Sequence, residues 1–125
     1  MRTRWPARAC AHIVVVLLLS VAVAVGEGAD ATVKTVMSDP ARYDGQAVSM
    51  AGTINALDAR VSRRGNAYYT FKLDDGSGRV NVFAFGQPPC PSVSRVAIDG
   101  TFRRVKQVSG HTFHDQVDAR HVSCR

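Results

Sequence analysis

Two short runs concentrate cations: Arg60, Arg63 and Arg64 in one, Arg103, Arg104 and Lys106 in the other. Between them stand Tyr68, Lys72, Asn81, Phe83 and Phe85, each alternating with an apolar neighbour. Guanidinium and ammonium groups compensate phosphate charge, and rings stack on bases at about 1–3 kcal/mol per base. Cations and rings on one surface would therefore suit a single-stranded polynucleotide or another extended anion. The plainer reading is that Arg63-Arg64 is a solvated turn and the rings are ordinary strand residues. Only their placement decides between the two.

Other reactive residues form weaker patterns. His111, His114, His121 and Cys124 follow a His-x2-His-x6-His-x2-Cys spacing that matches no structural zinc site, and an offset of three on a strand points side chains to opposite faces. No metal site is expected from them. Asp74-Asp75-Gly76-Ser77-Gly78 lacks the further ligands of a calcium loop and reads as a hairpin turn. There is no G-x-S-x-G, no H-E-x-x-H and no phosphate-binding P-loop, so no enzymatic activity is expected. No cofactor is implied.

The chain opens as an export signal does. Arg2, Arg4 and Arg8 precede an apolar run from Ile13 to Val25, and the small residues around Ala22, Ala24 and Gly26 suit signal peptidase. As a helix that run spans only about 20 Å at roughly 1.5 Å per residue, short of a hydrocarbon core of about 30 Å. Residues 1–26 are therefore expected to be a cleaved signal peptide rather than a retained anchor, and residues 27–125 the mature domain, periplasmic or secreted. Cys10 precedes the apolar run, which disfavours lipoprotein attachment. The whole chain carries 16 Lys+Arg and 10 Asp+Glu; without the three leader arginines the balance is 13 against 10, a net of +3. Such a mildly basic domain needs its charges clustered before they imply a partner.

Export also permits a covalent staple. Cys90 and Cys124 are the two cysteines of residues 27–125, and they are expected to pair. Closing that loop is worth roughly 4 kcal/mol by chain-entropy arithmetic. With no C-x-x-C to lower a thiol pKa, redox catalysis is disfavoured.

The elements that must position these groups follow from periodicity. Residues 30–38 read as a short amphipathic helix with Asp30 or Thr32 as N-cap and Val33, Val36 and Met37 on one face. Pro40 and the Tyr43-Asp44-Gly45 turn lead into strands. Val48, Met50, Gly52 and Ile54 alternate in the first, which runs toward Val61. Tyr69, Phe71 and Leu73 mark the inward face of the second, opposite Tyr68, Thr70 and Lys72. The third, Arg79 to Phe85, turns Val80, Val82 and Ala84 one way and Asn81, Phe83 and Phe85 the other. Pro88-Pro89-Cys90-Pro91 cannot continue a central strand. Val96 to Phe102 make a fourth strand and Phe113 to Val122 a fifth, with Arg103 to Gly110 expected as a polar hairpin tip. Gly52 and Gly100 suit sharp coiling.

Together, Val48-x-Met50-x-Gly52-x-Ile54, Tyr69-x-Phe71-x-Leu73-x-Asp75-Gly76-Ser77-Gly78-x-Val80-x-Val82 and Val96-x-Ile98-x-Gly100 resemble the OB-fold domains of the anticodon-binding and single-strand-binding superfamily, over roughly residues 46–123. The resemblance implies an all-β, five-stranded Greek-key barrel. The usual helix between strands three and four is replaced by the Pro-Cys-Pro segment. It also implies a ligand laid across strands two and three, between the one–two and four–five loops, so that both basic runs flank the rings. On that basis Arg60, Arg63, Arg64, Tyr68, Lys72, Asn81, Phe83, Arg103, Arg104 and Lys106 are the expected binding residues. The same barrel serves other partners. The alternatives are a periplasmic protein-interaction or stress module with a protein partner, and a haem-handling protein similar to the haem chaperones of cytochrome c maturation. His114-Asp115, however, sits inside a strand instead of on a flexible tail.

Overall fold

The computed structural model describes residues 29–125; the expected signal peptide, residues 1–26, with Cys10 lies outside the described residues. The order is β1 (Ala29–Asp30), α1 (Val33–Ser38), α2 (Pro40–Tyr43), β2 (Ala47–Val61), β3 (Ala67–Asp74), β4 (Arg79–Phe85), β5 (Arg95–Val108) and β6 (His111–Cys124). Five long strands run in the order β2-β3-β4-β6-β5, and β5 pairs again with β2, so the sheet closes on itself. Closure removes the exposed edges that an open sheet would leave. Among these five, β4 and β6 alone run parallel, because the β5–β6 hairpin is inserted with its second strand next to β4. This is the connectivity expected of an OB-fold, and the Gly86–Ser94 connection contains no helix.

Alternation fills the interior. Val48, Met50 and Ile54, then Tyr69, Phe71 and Leu73, then Val80, Val82 and Ala84 are all buried, with Val96, Ile98, Phe102 and Val117 closing the ring. Each such side chain stabilises the fold by about 1.5–3 kcal/mol relative to exposure. The opposite positions of β3 and β4 must therefore face outward.

β2 serves two partners in turn. Ala47–Thr53 pair with β5, and Thr53–Val61 pair with β3. At the handover a Cβ on Gly52 would fall inside the carbonyl of Asp74, 2.9 Å from its carbon. Gly100 stands in the same relation to Asp118 and Ala119, at the register shift between β5 and β6. A bulge at Ala56 (φ 50), where the β2–β3 register slips, bends β2 further.

The helical prediction holds in part. Thr32 caps α1, its Oγ1 accepting from Thr35 N at 3.2 Å, while Asp30 belongs to β1. Val33 and Val36 are buried, but Met37 is exposed, because only one turn of so short a helix reaches the core. α1 is tied to the β3–β4 turn: Asp75 Oδ2 accepts from Val33 N at 2.9 Å, and Ser77 Oγ from Lys34 N at 3.1 Å. Burial opposes ionisation of Asp75, yet hydrogen bonds from Ser77, Val33 and Gly78 outweigh it and hold the carboxyl below its ordinary range. The turn itself is the hairpin that the sequence implied, with Gly76 at φ 85.

Cys90 and Cys124 form a disulfide with Cα atoms 5.8 Å apart, tying the proline-rich connection to the end of β6.

One expectation is corrected. Arg103 to Gly110 is not a loop: β5 runs on to Val108 and β6 begins at His111, so Arg103, Arg104 and Lys106 are strand residues. The turn is only Ser109-Gly110, both at positive φ (49° and 80°), as a two-residue type I′ hairpin requires. Beyond the core-forming Phe102–Val117 pair these strands project as a two-stranded arm whose residues are mostly exposed, so no apolar alternation marked it as strand.

Candidate functional site

The strand phase puts the expected rings on the outside. Tyr68 and Phe85 are cross-strand partners on β3 and β4, and Phe83 follows two residues along. Tyr68 and Phe83 stack with centroids 5.5 Å apart and planes 29° from parallel, and Phe85 meets Phe83 edge-on at 5.0 Å. Tyr68 and Phe83 are half-buried by this contact, whereas Phe85 is 76% exposed. α1 lies at the β3–β4 turn and does not cover them.

Cations close both sides of this cluster. On β2, Arg60 is the cross-strand partner of Tyr68. Its Nε donates to Asp58 Oδ2 at 2.7 Å, and Asp58 first, then Tyr68, raises the guanidinium pKa. On the far side Lys106 Nζ stands 4.1 Å above the centre of the Phe83 ring and donates to Asp118 Oδ1 at 2.8 Å. Asp118 also accepts from Gln116 Nε2 at 3.0 Å and lies 3.9 Å from Arg103 Nε. A continuous band results: Arg60, Tyr68, Phe83 with Phe85, Lys106, Asp118 and Arg103, drawn from all five long strands.

Arg103 and Lys106 are three residues apart, so an ideal strand would point them to opposite faces. They nonetheless share Asp118. The β5–β6 pairing passes from Arg103–Gln116 to Val105–His114 without an Arg104–Asp115 pair, and Asp115 lies at φ 52. The register is the same on either side of that gap, and Lys106 lies over the Phe83 ring of β4. The arm face that carries Lys106 also carries Phe113, its cross-strand partner, with Val108 and His111 one step on. Phe113 is 44% exposed and was missed in the sequence because it read as the first residue of an ordinary strand.

The remaining expected residues are less tightly placed. Lys72 and Asn81 are exposed cross-strand partners on the same outer face, one pair beyond Phe83. Arg63 and Arg64 sit in the exposed β2–β3 turn, held by Ser62 N to Asn66 O at 2.8 Å and Gly65 N to Ser62 O at 2.9 Å, with no ion pair to either among the described residues. Arg104 departs from the expected group, since its backbone N–H donates to Asp44 Oδ1 at the α2–β2 turn and no described contact joins it to the rings. His111, His114 and His121 pair across the ladder with Val108, Val105 and Asp99 respectively, which spreads them along β6.

A shallow concavity of about 490 Å³ lies elsewhere, over β2 and β5, lined by Asp30, Ser49, Asp99 and Arg125 among others. Ser49 Oγ donates to Asp99 there.

No protein-family model matches the chain, and no curated protein sequence does. Solved structures do. The second OB-fold domain of replication protein A from Methanococcus maripaludis is similar with a TM-score of 0.51 and 9% identity, covering 77% of this chain and 94% of that domain. An aspartyl-tRNA synthetase from Leishmania major is similar with a TM-score of 0.57 and 14% identity over 78% of this chain. The match spans 20% of that synthetase's length. These likenesses, together with the strand order, show an OB-fold.

Proposed function

We propose that this chain is an exported, periplasmic or secreted OB-fold binding module without enzymatic activity, which holds single-stranded nucleic acid or another extended anion across β3 and β4. The observation that carries the reading is the outward ring cluster of Tyr68, Phe83 and Phe85 with Arg60 and Lys106 at its sides. Two stacked rings flanked by cations on a broad, open surface suit a chain that offers bases and phosphates in alternation. An enclosed pocket would suit a compact ligand instead. The names of the similar proteins, a replication protein and a tRNA synthetase, support the same ligand class.

On this reading Arg63, Arg64, Lys72 and Asn81 guide the backbone, while Tyr68 and Phe83 take bases. The test is binding of a fluorescent oligothymidylate by the purified domain, titrated with salt. Log affinity should fall linearly with log salt, by about 0.7 per neutralised phosphate. The double change Arg63→Ala/Arg64→Ala should reduce that slope by one to two contacts, and Tyr68→Ala should weaken binding at every salt concentration. Oligonucleotide retention unchanged by both substitutions would end the proposal.

A further inference from the structure

The centre of the ring surface is already occupied by the protein itself. Lys106 Nζ lies 4.1 Å over the Phe83 ring, at the distance where an ammonium is attracted to an aromatic face. It is fixed there by Asp118 at 2.8 Å, and neither partner is freely solvated: the Lys106 and Asp118 side chains are 21% and 29% exposed. The same carboxylate is in contact with Gln116 and near Arg103. One acid thus holds the cation that covers the ring on which a base would stack.

We propose that Asp118 is a positioning residue of this site, which keeps Lys106 as a lid on Phe83 and so sets how readily an unpaired base gains the ring. The inference rests on the ring surface being the binding face. A phosphate can meet the Lys106 ammonium without moving it from the ring. A base can stack on the covered face of Phe83 only after Lys106 has swung away, which breaks its bond to Asp118. Asp118 therefore costs base stacking more than it costs phosphate binding. Once displaced, Lys106 becomes available to the backbone of the bound strand. The site then selects chains carrying both anionic and planar groups over plain polyanions, with the lid setting the threshold.

The test uses two probes of equal length and phosphate number: an oligothymidylate and the same backbone made abasic. Their affinity ratio measures stacking with the charge term held constant. Asp118→Asn should raise that ratio by roughly three- to tenfold, the worth of one released cation–π contact. Lys106→Ala, which removes the lid altogether, should raise it too while lowering the salt slope by about 0.7. Asp118→Glu should restore a ratio near that of the wild type. A readout independent of any ligand accompanies these: the ε-methylene protons of Lys106 should be ring-current shifted in the free protein and in Asp118→Glu, and unshifted in Asp118→Asn. Equal gains for both probes in Asp118→Asn would make Asp118 a simple repulsive charge and overturn the lid. Unshifted Lys106 protons in the wild type would overturn it as well. If neither probe binds the wild type while the ring-current shift is present, the ring surface is not a nucleic-acid site, and it is the proposed function that fails.

Discussion

Replacing Phe83 with alanine separates the two things this ring does. In the fold it contacts Tyr68 face-on at 5.5 Å and Phe85 edge-on at 5.0 Å, and it carries Lys106 at 4.1 Å. Each aromatic pair is worth about 0.5–1.5 kcal/mol beyond burial, and a cation–π contact at a partly exposed site about 0.5–1 kcal/mol. Phe83→Ala should therefore destabilise the domain by roughly 1.5–4 kcal/mol, read as a lower denaturant midpoint at an unchanged slope. Domains of this size hold only about 5–15 kcal/mol, and the disulfide keeps part of that, so the variant should still fold. In the complex, the loss of one stacking platform costs about 1–3 kcal/mol, a five- to 150-fold weaker dissociation constant for oligothymidylate. Phe83→Leu supplies the control, since it keeps apolar bulk but removes the π-face. It should recover most of the stability and little of the affinity. The reasoning is refuted if Phe83→Ala lowers the denaturant midpoint as stated while the folded variant binds oligothymidylate as tightly as the wild type. The ring would then be a surface packing element and no more.

Three further outcomes follow from the fold. Thiol labelling of the denatured, unreduced domain should find neither Cys90 nor Cys124 free, and Cys90→Ala/Cys124→Ala should cost about 4 kcal/mol in denaturant unfolding; a labelled thiol would contradict the bridge. Gly100→Ala should destabilise strongly, because its methyl group would meet the main chain of Asp118 and Ala119, which cannot rotate aside; a thermal midpoint within a degree of wild type would show that β6 yields there. For Asp75 the sign follows from its lowered pKa in the folded state. Its stabilising effect is complete above the unfolded carboxyl value of about 3.9 and is lost as pH falls through the lower folded value. Asp75→Asn should therefore be less stable than wild type at pH 7, with the gap closing below about pH 4, and a gap that persists in strong acid would assign the loss to geometry rather than charge.

Much of this was legible because closed sheets write their phase into the sequence. Tyr69, Phe71 and Leu73 alternate with Tyr68, Thr70 and Lys72, so knowing which set is buried fixes where Tyr68 points. Phe83 follows in the same way from Val82 and Ala84. The arm was illegible for the complementary reason. Residues 103–108 have solvent on both faces, and their strand character comes from main-chain pairing to His111–Gln116, which leaves no side-chain pattern. The Ser109-Gly110 pair was the one signal available for a tight hairpin. The two-residue β1 is too short for any periodicity. Within the site, Lys106 and Arg103 stand three residues apart on β5, so alternation alone assigns them to opposite faces and does not reveal that both reach Asp118. Arg104 joins the expected group only if the run is a loop tip, where facing does not matter; on a strand it does.

Amide chemical-shift mapping with oligothymidylate locates the binding face itself. Shifts should concentrate at residues 60–72, 79–85 and 103–118, on the outer face of β3 and β4 and the adjoining arm. Perturbations confined to the β2–β5 wall around Ser49 and Asp99, or none at low salt, would contradict it.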